Sequence, residues 1–446
     1  SGAKYGFING ALQETYKAGD KDTQRKTRRI DRLVANRWLG FPIFILVMWV
    51  MFSSVFLLGA YPQEWIDNLF GWLGEQACNL IPAGAIQALV VNGIIGGVGS
   101  VAVFIPQILI LYLFISLMED SGYMARAAFI MDRLMHKMGL HGKSFIPMLM
   151  GFGCNVPAIM ATRTIESRSS RIITILVTPF MSCSARLPVM VLFAGAFFPK
   201  HAALVLIGLY MLGIGVAILT ARLLRFAKFQ KDETPFVMEL PPYRLPTLRA
   251  TLRHMWEKCA QYIKKIGTVI LLSTVVIWFL SYYPRPKERI ENREQRTEQR
   301  EKSKEQREKS KEKREKSKEQ REEGGINEES FIAMLGHAIE PVLAPLGQNW
   351  RSSIALITSI PAKELVVSTL GVLYSSDSEE SIQQDLRSSG DFTPRSAAAF
   401  MVFILLFFPC IATIAAIADE TGSKRWAAFS IVYNTAVAWL AGFFVY

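Results

Sequence analysis

GFGCNVPAIMATRT, residues 151–164, is apolar enough for a membrane interior and too interrupted to cross one as a plain helix. Gly151, Gly153 and Pro157 surround Cys154 and Asn155, and glycine and proline are the residues that loosen or break a helix. Positive residues flank the segment, Lys143 before it and Arg163, Arg168 and Arg171 after it. Cytoplasmic loops carry the excess of Lys and Arg, so positive charge at both ends predicts a broken helix or re-entrant hairpin opening to the cytoplasm. Irregular backbone at membrane depth is tolerated only where protein buries it or where it lines a wet cavity. The segment therefore predicts a polytopic, all-α transmembrane protein with a polar site inside it.

Outward from this segment, apolar runs near the ~20 residues that a spanning helix needs lie at 40–59, 100–118, 172–198, 202–224, 266–283, 397–418 and 426–446. Residues 61–82, with Trp65 and Trp72, read as an interfacial amphipathic helix, and 328–346 read likewise. Residues 123–138 read as a cytoplasmic-side helix and 375–394 as a polar loop. The 446 residues are 51% hydrophobic and carry a net charge of +12. The positive charges gather at the ends of apolar runs, which makes them topological and argues against nucleic acid as a partner. Arg25, Lys26, Arg28, Arg29, Arg32 and Arg37 precede the first span and place the N-terminus in the cytoplasm. No signal peptide is visible. The chain opens on Ser1 and Gly2 without Met, which reads as part of a longer or processed chain.

The expected organisation is a cytoplasmic linker at 1–37, a membrane region at 38–226, a cytoplasmic connection at 227–261 and a single span at 262–283. A charged low-complexity insert at 284–328 and a second membrane region at 329–446 follow. The insert repeats KSKEQRE, KSKEKRE and KSKEQRE over 302–322 and has no apolar seam, so it cannot form a core and carries no chemistry.

The two membrane regions echo each other. GFGCNVPAIMAT (151–162) can be laid on TSIPAKELVVST (358–369), and each is followed by a span with a Cys inside it, TPFMSCSARLP (178–188) and LFFPCIATIAA (406–416). The order of elements matches better than the residues do. The charge pattern opens the first broken segment to the cytoplasm and the second to the outside, which predicts two inverted repeats containing broken or re-entrant helices. Such repeats build a binding site near the midplane from discontinuous helices. Gly and Pro also serve close helix packing, which is the alternative reading.

Candidate metal-contacting residues follow. Cys154, Cys183 and Cys410 stand in polar intramembrane settings, Asn155 and Glu364 beside the breaks, and Glu119 and Asp120 at the end of a span. Sulfur, amide and carboxylate ligands together suit a borderline divalent metal such as ferrous iron and disfavour magnesium or calcium. Each thiol could equally be a small apolar core residue, and Glu119 and Asp120 could be a solvated helix end rather than a cation-collecting mouth. Lys363 and Glu364 are charges inside an apolar run, where they usually face a pathway. His136 and His141, five apart, read as surface residues, and Cys78 and Cys259 as incidental.

GFGCNVPAIMATRT, MEDSGYMARAAFIMDRLM (118–135), FMSCSARLPV (180–189), IPAKELVVSTLGVLY (360–374) and FPCIATIAAI (408–417) together resemble the membrane region of FeoB-type bacterial ferrous iron transporters. RIDRLVANRWLGFPIF (29–44) is similar to that family's junction into its first span. The resemblance implies uptake of Fe2+ as transported substrate across the bacterial inner membrane through two gate repeats related to nucleoside-transporter folds. It further implies a separate N-terminal G domain that binds GTP and Mg2+, a small FeoA-type accessory protein as partner and, as an open question, a homo-oligomer. No GxxxxGK[ST] phosphate loop occurs in this chain, so any GTPase activity would lie in that other domain, with 1–37 as its linker and the chain itself no enzyme. The sequence departs from the family's frequent Pro-Cys-Gly at the second thiol, where Ser182, Cys183 and Ser184 stand. The competing expectations are a nucleoside or other small-solute carrier on the same scaffold, and a redox-sensing membrane receptor with reactive thiols.

Overall fold

The computed structural model describes residues 39–82, 84–227, 247–283, 330–374 and 379–446, with positions 31, 32, 34, 36 and 243. The expected charged insert at 284–328 and nearly all of the expected linker at 1–37 lie outside the described residues.

Helix α1 (Gly40–Leu80) is 41 residues long. At 1.5 Å per residue that is about 60 Å, roughly twice a hydrocarbon core. The interfacial helix expected at 61–82 is instead the continuation of α1, through Pro62 and without interruption. Its buried stripe of Phe44, Met48, Met51, Val55 and Gly59 keeps the spacing of one helix face. That face packs on α2 (Ile105–Asp120). A Cβ on Gly59 would lie 2.7 Å from Gln107 Cγ, so the glycine permits the close approach. One turn on, Gln107 Nε2 donates to Gln63 Oε1 at 2.7 Å. Before α2, the glycine-rich stretch around Gly97 is helical and passes tightly beside Thr274, whose Oγ1 would sit 2.5 Å from a Cβ at Gly97. Helix α3 (Tyr123–Lys137) leaves α2 through Gly122, whose φ of 80° is easy only for glycine. The bend between the two helices is 80°.

The architecture then runs through the same four parts twice. In the first half a hairpin of α4 (Phe145–Met150) and α5 (Asn155–Ala161) precedes α6 (Arg168–Val177) and α7 (Leu187–Phe197). Helix α8 (Ala202–Ala227) closes that half, and α9 (Leu248–Tyr282) leads to the second. The expected connection at 227–261 is thus already helical from Leu248 onward. The second half opens with α10 (Phe331–Leu343). It continues with a hairpin of α11 (Trp350–Thr358) and α12 (Leu365–Tyr374), then α13 (Glu379–Ser388), α14 (Pro394–Leu406), α15 (Ile411–Thr421) and α16 (Lys424–Val445). Helix α13 falls where a polar loop was expected, and its buried Ile382 and Leu386, four apart, explain why it forms.

Among the described residues five stretches are long and apolar enough to cross a membrane, and α2 with the start of α3 is a bent sixth. Two of them, Arg168–Phe197 and Pro394–Thr421, are the broken spans α6–α7 and α14–α15, expected from hydropathy to be continuous. Their apolar windows are 72% and 61% buried, against 28%, 17% and 22% for α1, α8 and α16. The broken spans are therefore the core, and the unbroken helices turn their apolar faces outward, as lipid contact requires. The molecule is a polytopic helical membrane protein.

Candidate functional site

The second half of each hairpin packs on the second half of the other repeat's span: α5 against α15, and α12 against α7. All four chain breaks thereby meet. Within each repeat the hairpin is tied to its own span by the same bond. The Ser184 N–H donates to the Gly153 carbonyl at 3.2 Å, and the Ile411 N–H donates to the Ile360 carbonyl at 3.0 Å. Ser184 and Ile411 each follow the span's Cys, and Gly153 and Ile360 are opposite each other when 151–162 is laid on 358–369. The weak sequence repeat is in register with the backbone.

Each cysteine of the motifs takes the residue just before a helical turn. Cys154 precedes α5, Cys183 precedes the 3-10 turn Ser184–Arg186 that runs into α7, and Cys410 precedes α15. All three have extended ψ, and none caps its helix with a side-chain hydrogen bond. The Cys410 thiol lies 3.2 Å from the Thr413 hydroxyl.

One cavity unites these positions. It has about 110 Å3 open to water-sized occupants and is lined by Cys154, Asn155, Cys183, Lys363, Glu364 and Cys410, among others. Phe52, Phe56 and Phe104, from α1 and the approach to α2, cover it with apolar surface. Asn155 is 4% exposed and its Oδ1 has no hydrogen-bond partner, an orphaned acceptor of the kind that a bound cation or water satisfies. Five of the seven candidate residues are thus brought together. Glu119 and Asp120 are not among the lining residues. They end α2 eight residues beyond Leu111, which does line the cavity, about 12 Å along the helix. Glu119 is exposed, and the half-buried Asp120 accepts from the Thr251 hydroxyl at 3.4 Å. Among the described residues no three His, Cys, Asp or Glu side chains are grouped closely enough to hold a metal ion at rest. The thiols share a cavity without forming a closed coordination cage.

Two buried basic side chains share that cavity. Lys363 is 2% exposed; its Nζ donates to Ser359 Oγ at 3.2 Å and sits over the Phe407 and Phe408 rings, 4.6 and 5.3 Å from their centroids. Arg186 is 1% exposed and donates to the Pro179 and Phe407 carbonyls, both at 2.9 Å. It thereby bridges the break of one span to the break of the other. Sequence reasoning passed over Arg186, although a charge three residues beyond Cys183 in an apolar run was the available signal.

Charged contacts hold the repeats together at two other places. Glu420, at the end of α15, accepts from Arg163 Nε at 2.8 Å and from Arg171 at 2.9 Å, and is also bonded by Arg163 Nη2. Arg387 of α13 donates to the Ala196 and Gly195 carbonyls at the end of α7. Each repeat also carries an ion pair joining the start of its hairpin to the approach of its span: Lys143–Glu166 at 2.7 Å and Arg351–Asp391 at 2.7 Å.

Two broken hairpins and two broken spans converging on one cavity define a gate-repeat membrane protein. A family model described as "Nucleoside recognition" gate matches residues 101–197 and 263–424, and one described as "Ferrous iron transport protein B C terminus" matches 206–258. The chain is 54% identical, over 99% of its length, to an Fe(2+) transport protein A/Fe(2+) transporter FeoB fusion protein of Porphyromonas gingivalis, covering 54% of that protein. It is 40% identical over 99% of its length to the Fe(2+) transporter FeoB of Staphylococcus aureus, covering 62% of it. It is 38% identical over 98% of its length to that of Campylobacter jejuni, covering 67% of it. No solved structure matches. The chain belongs to the FeoB family, and it spans a little over half to two thirds of the length of these relatives.

Proposed function

We propose that this chain forms the path by which Fe2+ crosses the bacterial inner membrane, with the N-terminus cytoplasmic and the two repeats inverted relative to each other. The observation that carries this reading is the convergence of Cys154, Cys183 and Cys410, with Asn155 and Glu364, on one cavity at the four chain breaks. Soft sulfur ligands beside one carboxylate and one amide favour a borderline transition metal over a hard cation. The open cage suits a substrate rather than a resident metal, because conduction requires a site that can be left as well as entered. The exposed carboxylate of Glu119, with Asp120, would raise the local cation concentration at the end of α2, the helix that carries Ile108 and Leu111 into the cavity wall.

GTP and Mg2+ would act in a G domain outside this chain and reach the cavity through residues 1–37 and α1. A FeoA-type protein is the natural accessory partner, since the Porphyromonas relative is named as a fusion of the two. A nucleoside is a poorer fit: about 110 Å3 is well below the roughly 300–1,000 Å3 of pockets that enclose organic ligands. The test is Fe2+ flux into proteoliposomes containing the full-length protein. Cys154→Ser, Cys183→Ser and Cys410→Ser should each cut the flux about tenfold or more, the loss expected when a soft ligand is withdrawn from a metal path. Unchanged flux in all three, or saturable uridine uptake without metal, would reject the reading.

A further inference from the structure

We propose that Arg186 determines which cations the cavity holds and how readily it releases them, acting as a fixed positive charge beside the thiols. The inference rests on reading the cavity as a cation path and adds a selectivity principle to it. A guanidinium keeps its charge at any physiological pH. Arg186 is 1% exposed and lines the cavity together with Cys154, Cys183 and Cys410. Its two hydrogen bonds to described residues go to neutral carbonyls, those of Pro179 and Phe407. Its Nε is buried without a partner, and among the described residues no carboxylate lies within ion-pair distance of it. The charge is therefore anchored in place and left unneutralised.

Phe407 joins this charge to a second basic side chain. Its carbonyl accepts from Arg186, and its ring lies 4.6 Å from Lys363 Nζ. Among the described residues that line the cavity Glu364 is the one acidic residue, so two basic side chains stand against a single carboxyl group. Such a wall repels any ion that would bind by charge and oxygen ligands alone, which is how Mg2+ and Ca2+ bind. An ion that also bonds sulfur recovers the loss. The same repulsion loosens the hold on that ion, so that it leaves.

The experiment compares Arg186→Gln, Arg186→Lys and Lys363→Gln in the full-length protein, reconstituted in proteoliposomes with Fe2+, Mg2+ or Ca2+ outside. Removing the charge in Arg186→Gln should lower the half-saturating Fe2+ concentration by about tenfold, as the loss of one nearby repulsive charge implies, without raising the maximal rate. Mg2+ and Ca2+ flux should appear. Lys363→Gln should shift both quantities in the same direction, which keeps the idea testable if Arg186→Gln does not fold. Arg186→Lys should keep the wild-type exclusion of Mg2+ and Ca2+. A guanidinium that merely ties the two breaks together would give the opposite sign, with half-saturation raised and hard cations still excluded. That result, or unchanged half-saturation in both neutral variants, overturns the charge role alone, provided Fe2+ flux in the parent depends on the cysteines. Flux indifferent to the cysteines overturns the cavity reading and this inference with it.

Discussion

The two repeats share a backbone and divide the chemistry. In the first, the hairpin break supplies Cys154 and Asn155, and the span break supplies Cys183 and Arg186. In the second, the hairpin break supplies Lys363 and Glu364, and the span break supplies Cys410. The tie from hairpin to span is the same main-chain bond in both. Main-chain geometry is thus what the duplication preserves, and side chains at equivalent places are free to differ, with most of the sulfur on one side and the carboxylate on the other. The contacts between repeats differ in strength too. One joins a carboxylate of 3% exposure to two arginines, and the other joins one arginine to helix-end carbonyls.

That contrast can be broken most severely at Glu420. Glu420→Ala should destabilise the protein by about 3 kcal/mol, because it leaves arginines that were matched to a buried acid, whereas Arg387→Ala should cost about 1 kcal/mol. Thermal unfolding in detergent would measure both, and Cys410, at the other end of α15, should react faster with a membrane-impermeant maleimide in the first variant. Equal effects of the two substitutions would show the junctions to be equivalent. Next in size is Asp391→Asn. One oxygen of Asp391 accepts from both Arg351 and the Tyr374 hydroxyl, each at 2.7 Å, so about 2 kcal/mol should be lost.

Ser184→Ala sharpens the comparison rather than breaking it. The Ser184 hydroxyl adds a second bond to the Gly153 carbonyl at 2.9 Å, where the other repeat has Ile411 and only the backbone bond. Its removal should cost about 1 kcal/mol and leave the two repeats tied alike. The smallest effect belongs to Glu166→Gln. Lys143 holds the Glu166 carboxyl below its ordinary value through a hydrogen bond, so any contribution is present above the ordinary carboxylate range and lost as pH falls through the lowered value. Glu166 is exposed to solvent, and unfolding at neutral pH should be unchanged in the variant.

The hairpin breaks were legible because glycine, proline and polar residues interrupt an apolar run there, as Gly151 to Pro157 and Pro361 to Glu364 do. The span breaks were not. Apolar residues such as Phe180, Met181, Phe407 and Phe408 continue through them, so hydropathy averaged over a span registers no gap, and the place is marked only by single residues such as Pro179, Arg186 and Pro409. Helix α13 escaped notice because a short polar helix is fixed by what Ile382 and Leu386 pack against, which a sequence does not state. The convergence of the thiols is tertiary for the same reason. Cys154 and Cys410 are brought to one cavity by α5 packing on α15, and nothing near either residue in the chain encodes that pairing. Glu420 and its two arginines, 249 and 257 positions away, form a match of the same kind.

The position of the three cysteines carries a cost that the fold does not require. The residue before a helix is where serine, threonine, aspartate and asparagine start helices best, because their side chains accept an N–H of the first turn. Cysteine does this poorly, and in this chain none of the three does it at all. Cysteine-to-serine variants should therefore be somewhat more heat-resistant than the parent, by up to about 1 kcal/mol at each position, while conducting less iron. The thiols would mark a trade of robustness for activity, and a loss of flux in those variants could not be blamed on unfolding.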